Sequence, residues 1–136
     1  PGTDDHGIIR SDFPGGWAGD KVNAMTGTGL SDQQKEAQEF MRRLGQWRRQ
    51  AEVIHRGKLM HFLPENGVYV YFRYTEKQRV MVILNKNDQQ TPLALDRFAG
   101  MIGSARNGIN VPDGKTYKLE TTLELPAKSA LILELQ

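Results

Sequence analysis

The chain contains no cysteine. This absence excludes disulfide bonds, thiolate zinc sites and a cysteine nucleophile, but it does not decide the compartment in which the protein works. No apolar run approaches the ~20 residues that a membrane-spanning helix needs, so we expect no membrane partner. The first residues also lack the charged and apolar regions of a signal peptide.

An initial methionine is missing too, because the chain begins at Pro1. We therefore expect a processed product or a part of a longer protein, whose export signal would lie upstream. The chain has no large excess of charge of either sign: it contains 18 lysines and arginines and 16 aspartates and glutamates, a formal net charge of +2. Since the basic residues are spread along the chain, we expect no nucleic-acid partner.

What is present indicates an ordinary folded protein. Hydrophobic residues make up 38% of the 136 residues and charged residues 25%, which is near the norm for globular domains. Residues 1–30 hold seven of the 14 glycines and little hydrophobic periodicity, so they predict a long loop. Its centre carries apolar residues from Ile8 to Trp17, and we expect that part to be anchored.

A helix is predicted to begin at Ser31 and to end near Gln50. Ser31 and Gln34 have the spacing of a capping box. An apolar stripe follows at steps of three and four, formed by Ala37, Phe40, Met41, Leu44, Trp47 and Ala51. Because water is a poor environment for such a stripe, we expect the helix to dock on the rest of the chain, to pair in a homodimer, or to fray.

Four arginines crowd the second half of this helix, where their charges complement the carbonyl end of the helix dipole. We interpret them as a solvated face. They are Arg42, Arg43, Arg48 and Arg49.

From Gly57 onward the pattern has period two, which is typical of strands. The Asn66-Gly67 pair predicts a tight hairpin turn, and a helical turn is predicted around Phe98 and Met101. The predicted strands are Gly57–Leu63, Val68–Tyr74, Arg79–Asn85, Leu93–Leu95, Ile109–Val111, Lys115–Leu119, Thr121–Leu125 and Ser129–Leu135. Short strands at this spacing indicate an antiparallel sandwich or barrel.

A loop, the helix and several strands carry a resemblance to a known family. The run from Asp5 to Trp17, which includes Phe13-Pro14-Gly15-Gly16-Trp17, resembles the segment after the eighth barrel strand of cyclomaltodextrinases and neopullulanases, in glycoside hydrolase family thirteen. Leu44 and Arg48 match that family's last barrel helix. Val68–Tyr74 and Val80–Asn85 are similar to the second and third strands of its C-terminal β-sandwich, which is called domain C, and the run Leu125–Leu133 resembles the last strand.

The resemblance implies a mainly β fold, an antiparallel Greek-key sandwich preceded by a loop and one amphipathic helix left from a β/α barrel. Residues 1–54 would be the barrel remnant and residues 55–136 the sandwich. The chain would be the C-terminal part of an α-glucan hydrolase that is periplasmic or secreted. Its main partner would be the catalytic barrel, which the sandwich supports.

No catalytic residue is implied for this chain. The family's three catalytic carboxylates stand at barrel strands four, five and seven, and a β/α barrel takes ~250 residues, so they would lie upstream. Whether the chain alone is an enzyme stays undecided, with inactivity expected. No cofactor is implied.

The resemblance places the glycine-rich loop on the active-site face of the barrel. Its candidate substrate-binding residues for an α-glucan are Arg10, Asp12, Phe13 and Trp17. The alternative is that Phe13 and Trp17 only pin the loop. Asp4, Asp5 and His6 have no partner at metal-ligand spacing, so we expect no metal.

A second function stays open from the strand pattern. Tyr69, Tyr71 and Tyr74 could form a platform that binds starch or maltooligosaccharides, which would make the sandwich a binding module. The competing interpretation is ordinary cross-strand packing of aromatic residues.

Overall fold

The computed structural model describes residues 12–136. The described chain divides into two compact units, one that ends at Met41 and one that begins at Arg42. The domain boundary expected between residues 54 and 55 separates the barrel remnant from the sandwich. It rests on the resemblance and not on the compactness of the two units, and it stays a prediction.

The predicted helix, α1, spans Asp32–Gln50. Its capping box is formed: the Ser31 N–H donates to Gln34 Oε1 at 2.9 Å, and the Gln34 N–H donates to Ser31 Oγ at 3.3 Å. Both orphan donors at the helix start are thus satisfied. No residue of α1 is fully buried, and within its first half Phe40 is 42% and Met41 64% exposed.

Two short helices, a 3-10 turn and eight strands follow α1 in the described chain. They are α2 (Glu52–His55), β1 (Lys58–His61), β2 (Val68–Tyr74), β3 (Arg79–Asn85), β4 (Thr91–Ala94), a 3-10 turn (Asp96–Phe98), α3 (Ala99–Ile102), β5 (Asn107–Asn110), β6 (Thr116–Lys118), β7 (Thr122–Leu125) and β8 (Ser129–Leu135). The predicted bounds of β2, β3 and β8 are confirmed.

The strands form two antiparallel sheets. One has six strands in the order β1-β2-β3-β8-β5-β6, and the other pairs β4 with β7. Pairing β3 with β8 joins Met81 to Leu133, so the chain leaves the large sheet and returns to its centre. The predicted mainly β, antiparallel sandwich is confirmed.

The large sheet has two faces because successive side chains on a strand alternate. The face toward the small sheet, here called the inner face, carries the main core. The large sheet contributes Phe72, Met81, Ile83 and Leu133 to this core, and the small sheet contributes Leu125. The opposite, outer face carries a smaller buried cluster that includes Val80 and Val82.

The hairpin turn between β1 and β2 is confirmed at Asn66 and Gly67. Glu65 and Val68 exchange both backbone hydrogen bonds, at 3.0 and 2.8 Å. Asn66 has φ 49° and Gly67 has φ 77°, the left-handed angles that a type I′ turn requires. A Cβ at Gly67 would also collide with the Asn87 side chain.

We expect Gly67→Ala to lower the free energy of unfolding by about 1–2 kcal/mol, because a Cβ is disfavoured at left-handed angles. Urea denaturation followed by circular dichroism measures this change. The matched control is Gly100→Ala in α3, where a Cβ would meet no atom within 4 Å and alanine favours the helix. Equal losses in both variants would contradict the assignment of strain to Gly67.

Five strands, β1 and β4 to β7, differ from their predicted bounds by one or two residues, and one short helix was not predicted. The first strand is only Lys58–His61, shorter than Gly57–Leu63, and all four of its residues are exposed. It lies at the edge of the sheet, where few neighbours impose a pattern. The four-residue helix α2 was not expected, since one helical turn leaves too little periodicity to detect.

Candidate functional site

The glycine-rich loop exposes both of its candidate aromatic residues. Phe13 is 58% and Trp17 72% exposed, and Asp12 is exposed beside them. Arg10 lies outside the described residues. Neither ring is buried in the described part of the loop's own unit, so the pinning alternative gains no support from packing there.

Asp20 organises the turn that carries these rings. One carboxylate oxygen, Oδ2, accepts the Gly15 N–H at 2.9 Å and the Trp17 N–H at 3.1 Å. The Gly16 N–H donates to the Phe13 carbonyl at 3.2 Å and closes the turn. Charge-assisted bonds of this kind are stronger than neutral ones. We call residues 13–17, which carry Phe13 and Trp17, the aromatic turn.

Asn23 organises the second half of the loop. Its Oδ1 accepts the Met25 and Thr26 N–H groups at 2.9 and 3.1 Å. The Ala24 N–H donates to the Pro14 carbonyl at 2.9 Å, which joins this half to the aromatic turn. Neither Asp20 nor Asn23 was identified from sequence, although both residue types favour such turns.

A second region joins α1 to the sheet. We call the buried cluster on the outer face the helix–sheet contact. It consists of Ala51, Val53, Val80 and Val82. Trp47 packs against them half-buried. The docking of the apolar stripe is thus seen at the C-terminal end of α1, while pairing with a second copy stays a prediction.

Polar bonds reinforce the helix–sheet contact. Trp47 Nε1 donates to Glu134 Oε1 on β8 at 2.8 Å. Arg73 Nη2 donates to the Ile54 carbonyl at 2.8 Å, which ties α2 to β2. These bonds span 87 and 19 positions of sequence, so no local pattern could reveal them.

We expect Trp47→Phe to lower the free energy of unfolding by about 1–2 kcal/mol, since it removes a hydrogen bond to a carboxylate and some packing. Denaturant titration measures the loss. Trp17→Phe is the matched control, because Trp17 is exposed and its replacement should change stability by less than about 0.5 kcal/mol. If Trp47→Phe left the free energy of unfolding unchanged, the helix–sheet contact would not stabilise the protein.

The three candidate tyrosines do not share one face. Tyr69 and Tyr71 alternate with Val68, Val70 and Phe72 along β2 and lie on the outer face. Their ring centroids are 5.7 Å apart. Tyr74 has the opposite parity and falls on the inner side. All three are half-buried, so a platform would consist of Tyr69 and Tyr71 alone, and glucan binding there stays a prediction.

A cleft of about 320 Å³ opens beside the β1–β2 hairpin. Phe62 and Phe98 line it with their rings edge to face at 4.8 Å. Arg97 lies over both rings and forms an ion pair with Glu65 at 2.8 Å. These contacts fasten the 3-10 turn to the hairpin, which is a structural task.

The Asp113 carboxylate holds the turn between β5 and β6 by accepting hydrogen bonds from the Asn110 side chain and the Lys115 N–H. Burial raises the pKa of Asp113, but hydrogen bonds from the Lys115 N–H and the Asn110 side chain, with the charge of Lys115, outweigh it and lower that pKa. Its contribution to stability is therefore present above the pKa of an unfolded aspartate and is lost as the pH falls through the lowered folded value.

Within residues 12–136 no group of three or more histidine, aspartate or glutamate side chains is placed to hold a metal ion. None of the helices in the same residues has the length and apolarity that crossing a membrane demands.

Comparison with known families identifies the sandwich. A model described as the cyclo-malto-dextrinase C-terminal domain matches residues 59–134, more than half of the 136 residues. The chain belongs to the cyclo-malto-dextrinase C-terminal domain family. The matched segment runs from β1 into β8, so it includes every strand of the two sheets described above. The resemblance inferred from the sequence is confirmed.

Solved structures share this fold. AmyP in complex with maltotriose aligns with a TM-score of 0.70 at 16% identity, over 86% of this chain and 24% of that one. The noncanonic maltogenic α-amylase AmyB from Thermotoga neapolitana gives 0.62 at 18%, over 78% and 26%. The isomaltulose synthase SmuA from Protaminobacter rubrum gives 0.61 at 19%, over 85% and 20%.

The chain thus spans between 20 and 26% of the length of these three proteins. At such low identities the likeness establishes the fold alone. Because an isomaltulose synthase and amylases share the fold, it does not by itself specify a reaction. For a member of the cyclo-malto-dextrinase C-terminal domain family, the reaction has to be argued from the parts joined to the sandwich.

Proposed function

We propose that this chain is the C-terminal part of an α-glucan hydrolase of the cyclomaltodextrinase or neopullulanase type, in which the sandwich stabilises a catalytic β/α barrel. The observation that carries the proposal is the family match over residues 59–134. On resemblance alone, we extend it to a periplasmic or secreted enzyme that degrades starch.

The helix–sheet contact supplies the means of stabilisation. By resemblance, α1 is the last helix of the barrel. Its last turn packs through Trp47, and the next residue after the helix, Ala51, packs beside it on the outer face of the large sheet. Glu134 accepts a hydrogen bond from Trp47. A sandwich that holds the last helix in this way opposes its fraying, and the sheet's own core keeps that contact rigid.

The sandwich itself is proposed to do no catalysis. Retaining glycosidases need two carboxyl groups about 5–5.5 Å apart on a rigid scaffold. By resemblance these groups belong to barrel strands upstream of the chain. The loop at residues 12–30 contributes to substrate binding instead, through Asp12, Phe13 and Trp17, with Arg10 as a fourth proposed contact.

The proposed substrate class is an α-glucan. Two of the solved neighbours are AmyP complexes with maltotriose and with maltose, which supports the class without fixing the linkage. Exposed aromatic rings such as Phe13 and Trp17 suit it, because the apolar face of a glucose ring stacks on an aromatic face.

An activity assay tests this proposal. The chain and the longer protein encoded by its reading frame are each incubated with cyclodextrin, pullulan and maltooligosaccharides, and released reducing sugar is measured. We expect hydrolysis by the longer protein and none by the chain. Hydrolysis by the chain would refute the supporting role, and a longer protein inactive on all three substrates would refute the α-glucan assignment.

A further inference from the structure

The aromatic turn is held by polar bonds rather than by a hydrophobic core. Phe13 and Trp17 are both mostly exposed, so their packing contributes little to the turn's conformation. The Asp20 carboxylate instead accepts hydrogen bonds from two of the turn's four backbone N–H groups, those of Gly15 and Trp17. Without that acceptor, the N–H groups of Gly15 and Trp17 would lose the partner that fixes their orientation.

The rest of the loop supports the same geometry. Gly15 has φ 95°, and a Cβ there would meet the Asn23 side chain at 2.6 Å, so only glycine fits between the two halves. Gln38 on α1 donates to the Ala24 carbonyl at 2.5 Å. The loop is therefore a bonded unit fastened to the first half of the helix.

Such order matters for binding. Fixing one backbone residue costs roughly 1–2 kcal/mol of conformational entropy. A loop that is already ordered avoids this cost when a ligand arrives, which raises affinity without any new contact.

We propose that Asp20 is the positioning residue of the sugar-binding loop: it preorganises the aromatic turn so that Phe13 and Trp17 stack on an α-glucan. This inference rests on the proposed function. The role assigned to Asp20 is indirect, because its Oδ2 accepts two N–H groups of the turn's own backbone. Its effect on binding passes through the ring of Trp17.

The test uses the longer enzyme with maltoheptaose as the probe. Asp20→Ala and Trp17→Ala should each raise KM about three- to tenfold with kcat nearly unchanged, the loss expected for one aromatic contact. The double variant should match Trp17→Ala alone, because a turn without its ring has nothing left to position. Asp20→Asn should restore most of KM, since its amide oxygen can accept the same two N–H groups.

Controls separate the inference from general damage and from the proposed function. Glu36→Ala changes an exposed acid on α1 and should leave KM unaltered. An unchanged KM in Asp20→Ala, or effects of Asp20→Ala and Trp17→Ala that multiply in the double variant, would overturn the positioning role. An unchanged KM in Trp17→Ala would overturn the stacking contact on which that role depends.

A measurement without sugar covers the case in which the enzyme proves inactive on glucans. In the chain carrying Trp47→Phe, fluorescence anisotropy reports on Trp17 alone, because the chain has two tryptophans. Asp20→Ala should lower the anisotropy and Glu36→Ala should not. Equal anisotropy in both variants would overturn the role of Asp20 whatever the substrate is.

Discussion

Phe72→Ala lowers the free energy of unfolding by about 3–5 kcal/mol in our account, the cost of deleting a large core side chain. Phe72 is 0% exposed at the centre of β2. Its ring contacts Phe62 and Phe98 with centroids 5.9 and 6.3 Å away, so the cavity would open where the two sheets meet. Denaturant titration of the purified chain measures the loss.

The matched control for this change is Phe13→Ala. The substitution is identical, but Phe13 is mostly exposed, and we expect a change of less than about 0.5 kcal/mol. A loss below 1 kcal/mol in Phe72→Ala, or similar losses in both variants, would show that the inner face is not the core that stabilises the sandwich.

The second large effect is expected at Asn85, a buried asparagine at the end of β3. Its Nδ2 donates to the Pro126 carbonyl at 2.9 Å, and its Oδ1 accepts the Asn87 N–H at 3.1 Å. Asn85→Ala removes both hydrogen bonds, so the Pro126 carbonyl loses a donor and the Asn87 N–H loses an acceptor. We expect a loss of about 2–4 kcal/mol, because each buried polar group without a partner costs about 1–3 kcal/mol.

Thermal denaturation measures this loss, and Lys86→Ala is the control. Lys86 is the next residue and is exposed, so its truncation tests the loop without touching the buried bonds. If Asn85→Ala and Lys86→Ala melt at the same temperature, the bonds from Asn85 do not stabilise the junction between β3 and the turn before β8.

The fold was largely predictable where burial imposes a period. Val68, Val70 and Phe72 alternate with tyrosines, and the apolar run from Val80 to Ile83 is buried on both faces at the sheet centre. Such strands carry their pattern in the sequence. Edge strands do not: β1 is exposed throughout, and its ends could be placed only to within two residues.

Of the candidate site, only the aromatic residues could be predicted from the sequence. Phe13 and Trp17 stand out because a solvated loop has no need of aromatic residues. Asp20 and Asn23 do not stand out, since their role depends on which backbone N–H groups the turn directs toward them. The bond between Trp47 and Glu134 is hidden for another reason: it joins residues 87 positions apart.

The two faces of the large sheet explain why one small domain can fold firmly and also hold a helix. The inner face closes on β4 and β7 and provides the core. The outer face keeps Val80 and Val82 for Ala51 and Val53. Support of a barrel would use the second face and depend on the first, so Phe72→Ala and Trp47→Phe should both shorten the lifetime of the longer enzyme.

The most direct test of the supporting role compares the longer enzyme with and without residues 58–136. The measurement is the half-life of cyclodextrin hydrolysis on incubation at a fixed temperature, with both proteins at the same initial concentration. We predict that removing the sandwich shortens the half-life at least tenfold, which corresponds to about 1.4 kcal/mol. An enzyme without residues 58–136 that keeps its full activity and half-life would contradict the account.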